Sequence, residues 1–418
     1  MLSALALAAA VEGTFTLIDR TEARVRAPDP VTNSTAFDIE NVPDARIVLS
    51  SPHFVYTLGY TPRLAFVDFN ESGSRPSILN AGLVSAQWHE RKVRVTLTEN
   101  ASYGDQTFAA LSVLPTTGTP AAPSGSPGAP ISPNQPVSLP TTDAVPAVAL
   151  LSTMSSVTTL ASQVTLRRML LTASVGYQVS GGADTAAQQI LPLQHGPFAE
   201  TDFDVTATRR DHFVTVVLGS DAAFSTGVDS VLLEVLEQWR HKWSRSTDTE
   251  LGGGVSGVRS RLVFEAPYTY AADPIVNGAI NHELVHGADR VELRADAGFG
   301  PTVDRLTGLA DQRVYGTLQA IGTHRRFGLR IFGTAMESVP QSATGALRLI
   351  EGEVDALFHV SKVVTIDGGL RGLWENLGQV AVTTGAPATG PQAPTSTGLS
   401  PQLVAFLGVT VAAVKSRF

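Results

Sequence analysis

The sequence predicts an all-β fold: an antiparallel, up-and-down sheet of about 18 strands (16–18) that closes on itself as a barrel. Three observations carry this. Apolar and polar residues alternate with a period of two along most of the chain. Hairpins that turn on short basic clusters alternate with longer connections rich in Gly, Pro and Asp. The arms between them run to roughly 9–11 residues, long enough to cross a bilayer at a barrel tilt.

Residues 313–335 show the unit most clearly. Val314, Gly316, Leu318, Ala320 and Gly322 share one parity, while Arg313, Tyr315, Thr317, Gln319 and Thr323 fill the other, with Ile321 as the exception. After the polar turn His324-Arg325-Arg326, Phe327, Leu329, Ile331, Gly333 and Ala335 alternate with Gly328, Arg330, Phe332 and Thr334. Each arm therefore has one apolar and one largely polar face.

The same pattern is found from the start of the chain. Glu22, Arg24 and Arg26 oppose Ala23, Val25 and Ala27, and Ala45, Ile47 and Leu49 oppose Arg46, Val48 and Ser50 ahead of a turn at Ser51-Pro52-His53. Residues 54–66 place Phe54, Tyr56, Leu58, Tyr60, Leu64 and Phe66 on one side, and Pro62 within the run predicts a bulge or bend. A hairpin over residues 78–103 turns at residues 89–92, and its second arm sets Val93, Val95, Leu97, Ala101 and Tyr103 against Arg94, Thr96, Thr98, Asn100 and Ser102. Residues 115–146 are low in complexity, rich in Pro, Gly, Ser, Thr and Ala, and read as an extended or disordered loop. Further basic turns are expected at Arg167-Arg168, Arg209-Arg210-Asp211, Arg240-His241-Lys242, Asp289-Arg290, Arg325-Arg326 and residues 359–362, with long connections at residues 180–197 and 375–401. All short turns then fall at one end and all long loops at the other.

Length and composition agree with one large domain over residues 12–418. The net charge of -8 argues against a nucleic-acid footprint, and the absence of cysteine removes disulfides and Cys-ligated metals. Residues 1–11, MLSALALAAAV, resemble the apolar core and cleavage region of a secretory signal, with a cut near Ala10, although the basic leader is missing. No run approaches the roughly 20 apolar residues of a membrane-spanning helix.

So many hairpins must stack as two sheets or close, and closure alone removes the unpaired edges. The apolar parity is of moderate size, rich in Ala, Gly, Val and Leu, and the polar parity carries Thr, Ser, Gln, Arg, Asp and Glu. This fits greasy residues facing lipid and hydrophilic ones facing an aqueous interior. Residues 402–418 end on Phe418, with Val414, Ala412, Phe406 and Val404 on its parity and Lys415 and Arg417 on the other; Val409, Val411 and Ala413 make the expected inner face unusually apolar. In this the segment resembles the closing strand of bacterial outer-membrane β-barrel proteins of the porin-like kind. The resemblance implies a place in the outer membrane and recognition of Phe418 by the barrel-assembly machinery. It also implies basic turns on the periplasmic side and long loops on the extracellular side.

Motifs with catalytic connotations have bland contexts. His282-Glu283-Leu284-Val285-His286 matches H-E-x-x-H, but alternation on both sides of it predicts strand, where the imidazoles stand roughly 13 Å apart and cannot share an ion. Gly252, Gly254 and Gly257 match G-x-G-x-x-G and read as a flexible loop. Sequons begin at Asn33, Asn70 and Asn100, and a G-x-S-x-G elbow is missing. No catalytic residue, metal or cofactor is expected.

The functional candidates are charges of the polar parity. In chain order they are Arg24, Arg26, Arg46, Arg63 and Arg94, then Asp202, Asp204 and Glu234, then Glu292, Arg294 and Asp296, and finally Arg330, Asp367 and Arg371. Such charges would line the lumen of a passive, water-filled pore for small hydrophilic solutes, of weak selectivity because the signs are mixed. A non-conducting barrel serving as a surface platform, and a secreted soluble all-β enzyme or adhesin, are the alternatives. Expected partners are outer-membrane lipid, the assembly machinery and the solutes, with homo-oligomerisation left open.

Overall fold

A computed structural model gives the structure of the protein and describes residues 12–26, 35–66, 76–107, 150–262, 267–287, 289–303, 308, 310–340, 347–376 and 402–417. Its strands are β1 (Glu12–Arg26), β2 (Ala36–Ser50), β3 (Phe54–Tyr60), β4 (Arg63–Phe66), β5 (Pro76–His89), β6 (Val93–Thr107), β7 (Leu150–Thr165), β8 (Met169–Gly182) and β9 (Gln194–Thr206). They continue as β10 (Asp211–Phe224), β11 (Val228–Lys242), β12 (Thr247–Leu262), β13 (Thr269–His286), β14 (Asp289–Val303), β15 (Ala310–His324), β16 (Phe327–Pro340), β17 (Leu347–His359), β18 (Val364–Asn376) and β19 (Gln402–Arg417). A short helix, α1 (Thr185–Ile190), lies between β8 and β9 and is capped by the Asp184 side chain.

Each strand pairs antiparallel with its neighbours, and β1 pairs with both β2 and β19, so the sheet closes. β3 and β4 are halves of one crossing, interrupted at Thr61-Pro62 as the internal proline predicts, which makes an 18-strand barrel. Closure leaves no edge with unpaired N–H and C=O groups.

Burial is inverted relative to a water-soluble protein. Along β11, Leu233 and Val235 are 56% and 41% exposed, whereas Ser230, Glu234 and Gln238 are 1%, 7% and 2% exposed. Leu318 and Leu329 are likewise exposed, and Val95 is half-buried. The exterior is therefore an apolar belt, an arrangement that water-soluble proteins avoid and a bilayer requires. Aromatic side chains rim it at both ends. Phe54, Phe213, Trp243 and Phe327 are exposed near the short turns, and Phe66, Tyr103, Tyr177 and Tyr270 near the opposite end. Such paired girdles mark the two interfaces of a membrane. None of the described helices is long and apolar enough to cross a membrane, which has no bearing on a barrel.

Several expectations need correction. Apart from β3 and β4, strands run 13–18 residues rather than 9–11. The glycines Gly252, Gly254 and Gly257 lie within β12, not in a loop: the small size of the first two lets neighbours come close, Asn277 at Gly252 and Val235 and Leu236 at Gly254, whereas Gly257 has open space about it. Arg240-His241-Lys242 and Asp289-Arg290 belong to strand ends, with the first turn displaced to residues 243–246. One connection at the long-loop end, residues 225–227 between β10 and β11, is a tight turn with Gly227 at φ 82°.

The closing strand departs furthest. Val404 and Phe406 are 1% and 6% exposed and face inward, while Leu403, Leu407 and Val409 face out. The reason is a bulge: Leu17 pairs with Val414 but Ile18 pairs with Ala412, so one extra residue in β19 reverses the parity beyond it. Counting back from the terminus therefore assigns the wrong face. Phe418, residues 1–11 and residues 115–146 lie outside the described residues.

Candidate functional site

The interior wall is the candidate site. Of the expected residues, Arg24, Arg63, Arg330, Asp367 and Arg371, on β1, β4, β16 and β18, form one connected ladder of ion pairs with carboxylates of β1, β2 and β17. Arg63 Nε meets Glu40 Oε1 at 2.6 Å, and Glu40 also takes Arg24. Arg24 Nε donates to Glu22 at 2.5 Å, and Arg20 donates to Glu22 at 2.6 Å and to Asp367 at 3.0 Å. Arg371 spans β19, with Nη1 3.5 Å from Glu22 and Nε 2.7 Å from Glu353, while its guanidinium lies 4.2 Å from the Phe406 ring centre. Arg330 completes the run by donating to Glu353 and to Asp355, the latter at 2.5 Å.

The seam explains why β19 carries no charge here. Asp367, Gly408 and Glu22 share one transverse row, and a Cβ on Gly408 would press on the Asp367 carboxylate. Glycine thus leaves room for charged groups from β18 and β1 to meet across the closing strand. Arg26 pairs with Asp38 at 2.9 Å on the same arc, and Arg46 lies 3.5 Å from Asp44.

The other expected residues are distributed around the wall. Arg94 is half-buried on β6; Arg294 lies 3.5 Å from Asp296 on β14, and Glu292 is exposed toward the turn, 3.7 Å from Arg290. Asp202, Asp204 and Glu234 sit on β9 and β11, away from the ladder, with Asp204 3.5 Å from His212. Glu22, Glu40, Glu353, Asp355 and Glu200 were missed as candidates. Glu22, Glu40 and Glu200 share the parity of Arg24, Arg46 and Asp202, so their signal was present, whereas Glu353 and Asp355 lie on β17, which held no candidate, and become partners only through Arg330 and Arg371 of the strands on either side.

Structure also accumulates at the long-loop end. Ala187 and Leu191 of the α1 segment are 2% and 1% exposed, and a Cβ on Gly182 would strike the backbone of Ala187. Across the mouth, Ser230 donates to the Gly308 carbonyl, and Gly308 packs on Phe224 and Val228.

The H-E-x-x-H residues lie along β13, as the alternation predicts. His282 binds the Thr247 hydroxyl at 2.8 Å, and Glu283 pairs with Arg290 at 2.8 Å. Among the described residues no group of such side chains converges to hold a metal ion.

At the short turn between β9 and β10, Asp211 accepts from Thr208 Oγ1 at 2.6 Å and Trp239 Nε1 at 3.1 Å, and it meets His241 Nδ1 at 2.6 Å. Those hydrogen bonds, Thr208 first, hold its carboxyl down at about 2.

The model of the EpsX exopolysaccharide export family matches residues 5–389. Among solved structures, the barrel is similar to the FrpB iron transporter of Neisseria meningitidis at 9% identity and a TM-score of 0.49, covering 86% of this chain and 61% of that one. It is similar to OccAB3 of Acinetobacter baumannii at 10% identity and a TM-score of 0.45, over 97% of this chain and 99% of that one. Similarity to OpdL of Pseudomonas aeruginosa is at 9% identity and a TM-score of 0.43, over 98% and 99%. At these identities the likeness is one of fold. Among curated proteins none matches the chain.

Proposed function

The chain belongs to the EpsX exopolysaccharide export family, and on that footing we propose that it is a passive, water-filled conduit of the bacterial outer membrane through which an exopolysaccharide leaves the cell. The observation that carries this is the inverted wall: ion-paired and hydroxyl side chains inside, an apolar belt with aromatic girdles outside. A barrel of this strand number generally encloses a channel unless plugged, and a polar lining suits a hydrated glycan or a small hydrophilic solute alike. The girdles meet membrane lipid, and the closing strand is the element offered to the assembly machinery. The proposed role is that of a passive conduit, not of an enzyme.

Two measurements test the proposal. Refolded protein in planar bilayers should conduct, and no conductance above background rejects a water-filled conduit. Cells lacking the protein should stop releasing exopolysaccharide while still synthesising it, and undiminished release rejects the export role. A non-conducting surface platform predicts neither effect, and liposome swelling separates it cheaply, because a platform gives none.

A further inference from the structure

The lumen is electrostatically one-sided. On the arc from β16 round to β4 the buried carboxylates of the ladder meet arginine. On the facing arc, β9 to β13, the register aligns Glu200, Leu218, Glu234, Ser256 and Asp273 as one transverse row. Asp202 lies two residues along β9, its side chain within hydrogen-bond reach of Glu200. Arg240, the arginine of β11 on this face, is engaged by Glu250 at 3.1 Å.

The carboxylates of this row lack donors. Glu234 Oε2, Asp202 Oδ1 and Ser256 Oγ have no hydrogen-bond partner among the described residues, although Glu234 and Asp202 are 7% exposed and Ser256 is fully buried. Ser256 is an independent sign, because it is uncharged, it stands between Glu234 and Asp273 in the register, and its hydroxyl is spent on nothing. Buried acceptors without donors are costly unless something supplies the missing hydrogen bonds. Apolar side chains flank the row on both sides: Leu232 and Val258 toward the mouth, Leu236 and Ile275 toward the turns, all 6% exposed or less.

From this we propose, building on the conduit reading, that the row is a polar shelf which takes an uncharged glycan and turns away acidic ones. Sugar hydroxyls supply the donors that the carboxylates lack and answer the unspent hydroxyl of Ser256. A uronate or other anionic chain brings like charge to the same place and is repelled. By the same field the lumen concentrates cations over anions.

The test uses the full chain in planar bilayers at pH 8. Under a KCl gradient the wild type should prefer potassium over chloride by roughly tenfold, and E200Q/E234Q/D273N should lower that preference at least threefold. A neutral glucan oligomer should interrupt the current, and an oligogalacturonate of the same length should do so at least tenfold less often. Heat-modifiable gel mobility shows whether the variant folds, and the wild-type measurements stand if it does not. Conductance with anion preference, with none, or with equal interruption by both oligomers overturns the shelf and leaves the conduit standing. No conductance at all overturns both.

Discussion

Replacing Arg371 with Met tests whether the ladder holds the barrel shut. Arg371 and Glu22 have side chains only 4% and 3% exposed, so screening by water is slight and the discount applied to surface pairs does not hold. The arginine makes a charge-assisted contact to Glu353 at 2.7 Å and a longer one to Glu22 at 3.5 Å, and lies 4.2 Å from the Phe406 ring. The short contact contributes about 1.5–3 kcal/mol and the cation–π contact about 1–2 kcal/mol. Methionine keeps the apolar contact with Phe406. The carboxylates are not orphaned either, since Glu22 keeps Arg20 and Arg24, and Glu353 keeps Arg330. The full penalty for an uncompensated buried charge, about 3–5 kcal/mol, therefore does not apply, and the net loss should be about 2–3 kcal/mol. Urea unfolding in detergent, followed by gel mobility of folded and unfolded forms, measures it. Raising the salt should change the difference little. A loss below about 0.5 kcal/mol, or one abolished by salt, refutes the argument and makes the ladder a solvated, screened wall.

Three further outcomes are expected. Glu99 faces outward between Leu97 and Ala101, tied to Ser156 at 2.6 Å and to Thr158; Glu99→Leu should stabilise the barrel in lipid by roughly 1–2 kcal/mol, and destabilisation in refolding assays counts against lipid contact there. Gly104 has φ 145° and its position leaves no space between it and the Ile78 carbonyl; Gly104→Ala should cost about 1–3 kcal/mol in denaturant titration, and a neutral result rejects the close approach of β5 and β6. Asp211, held near pKa 2, is lower folded than unfolded, so its stabilisation is complete above about pH 4 and lost as pH falls through about 2. Wild type should therefore be the more stable of the pair with Asp211→Asn at pH 6 and converge with it near pH 2; a difference that persists at pH 2 contradicts the assignment.

Period-two alternation in residues 313–335 was enough to orient a whole hairpin, because a strand's two faces are a local property and only one can meet lipid. The same logic put Arg371, Asp367 and Glu234 on the inner face. It placed His282 and His286 along a strand, and it marked Pro62 as a break, since proline cannot donate to the ladder. Pairing was beyond its reach. That Arg371 reaches Glu22 over Phe406, or that Ser256 stands between Glu234 and Asp273, depends on register between strands, which is settled by contacts far apart in sequence. The closing strand shows the limit most plainly: one extra residue opposite Leu17 and Ile18 reverses the faces of Val404 and Phe406, and the apolar residues Val409, Val411 and Ala413 mark the segment as irregular without locating the bulge. Alternation within the chain determined which side chains can share a face, whereas closure of the sheet decided which charges meet there, because ion pairs form through space between strands that the sequence keeps hundreds of residues apart.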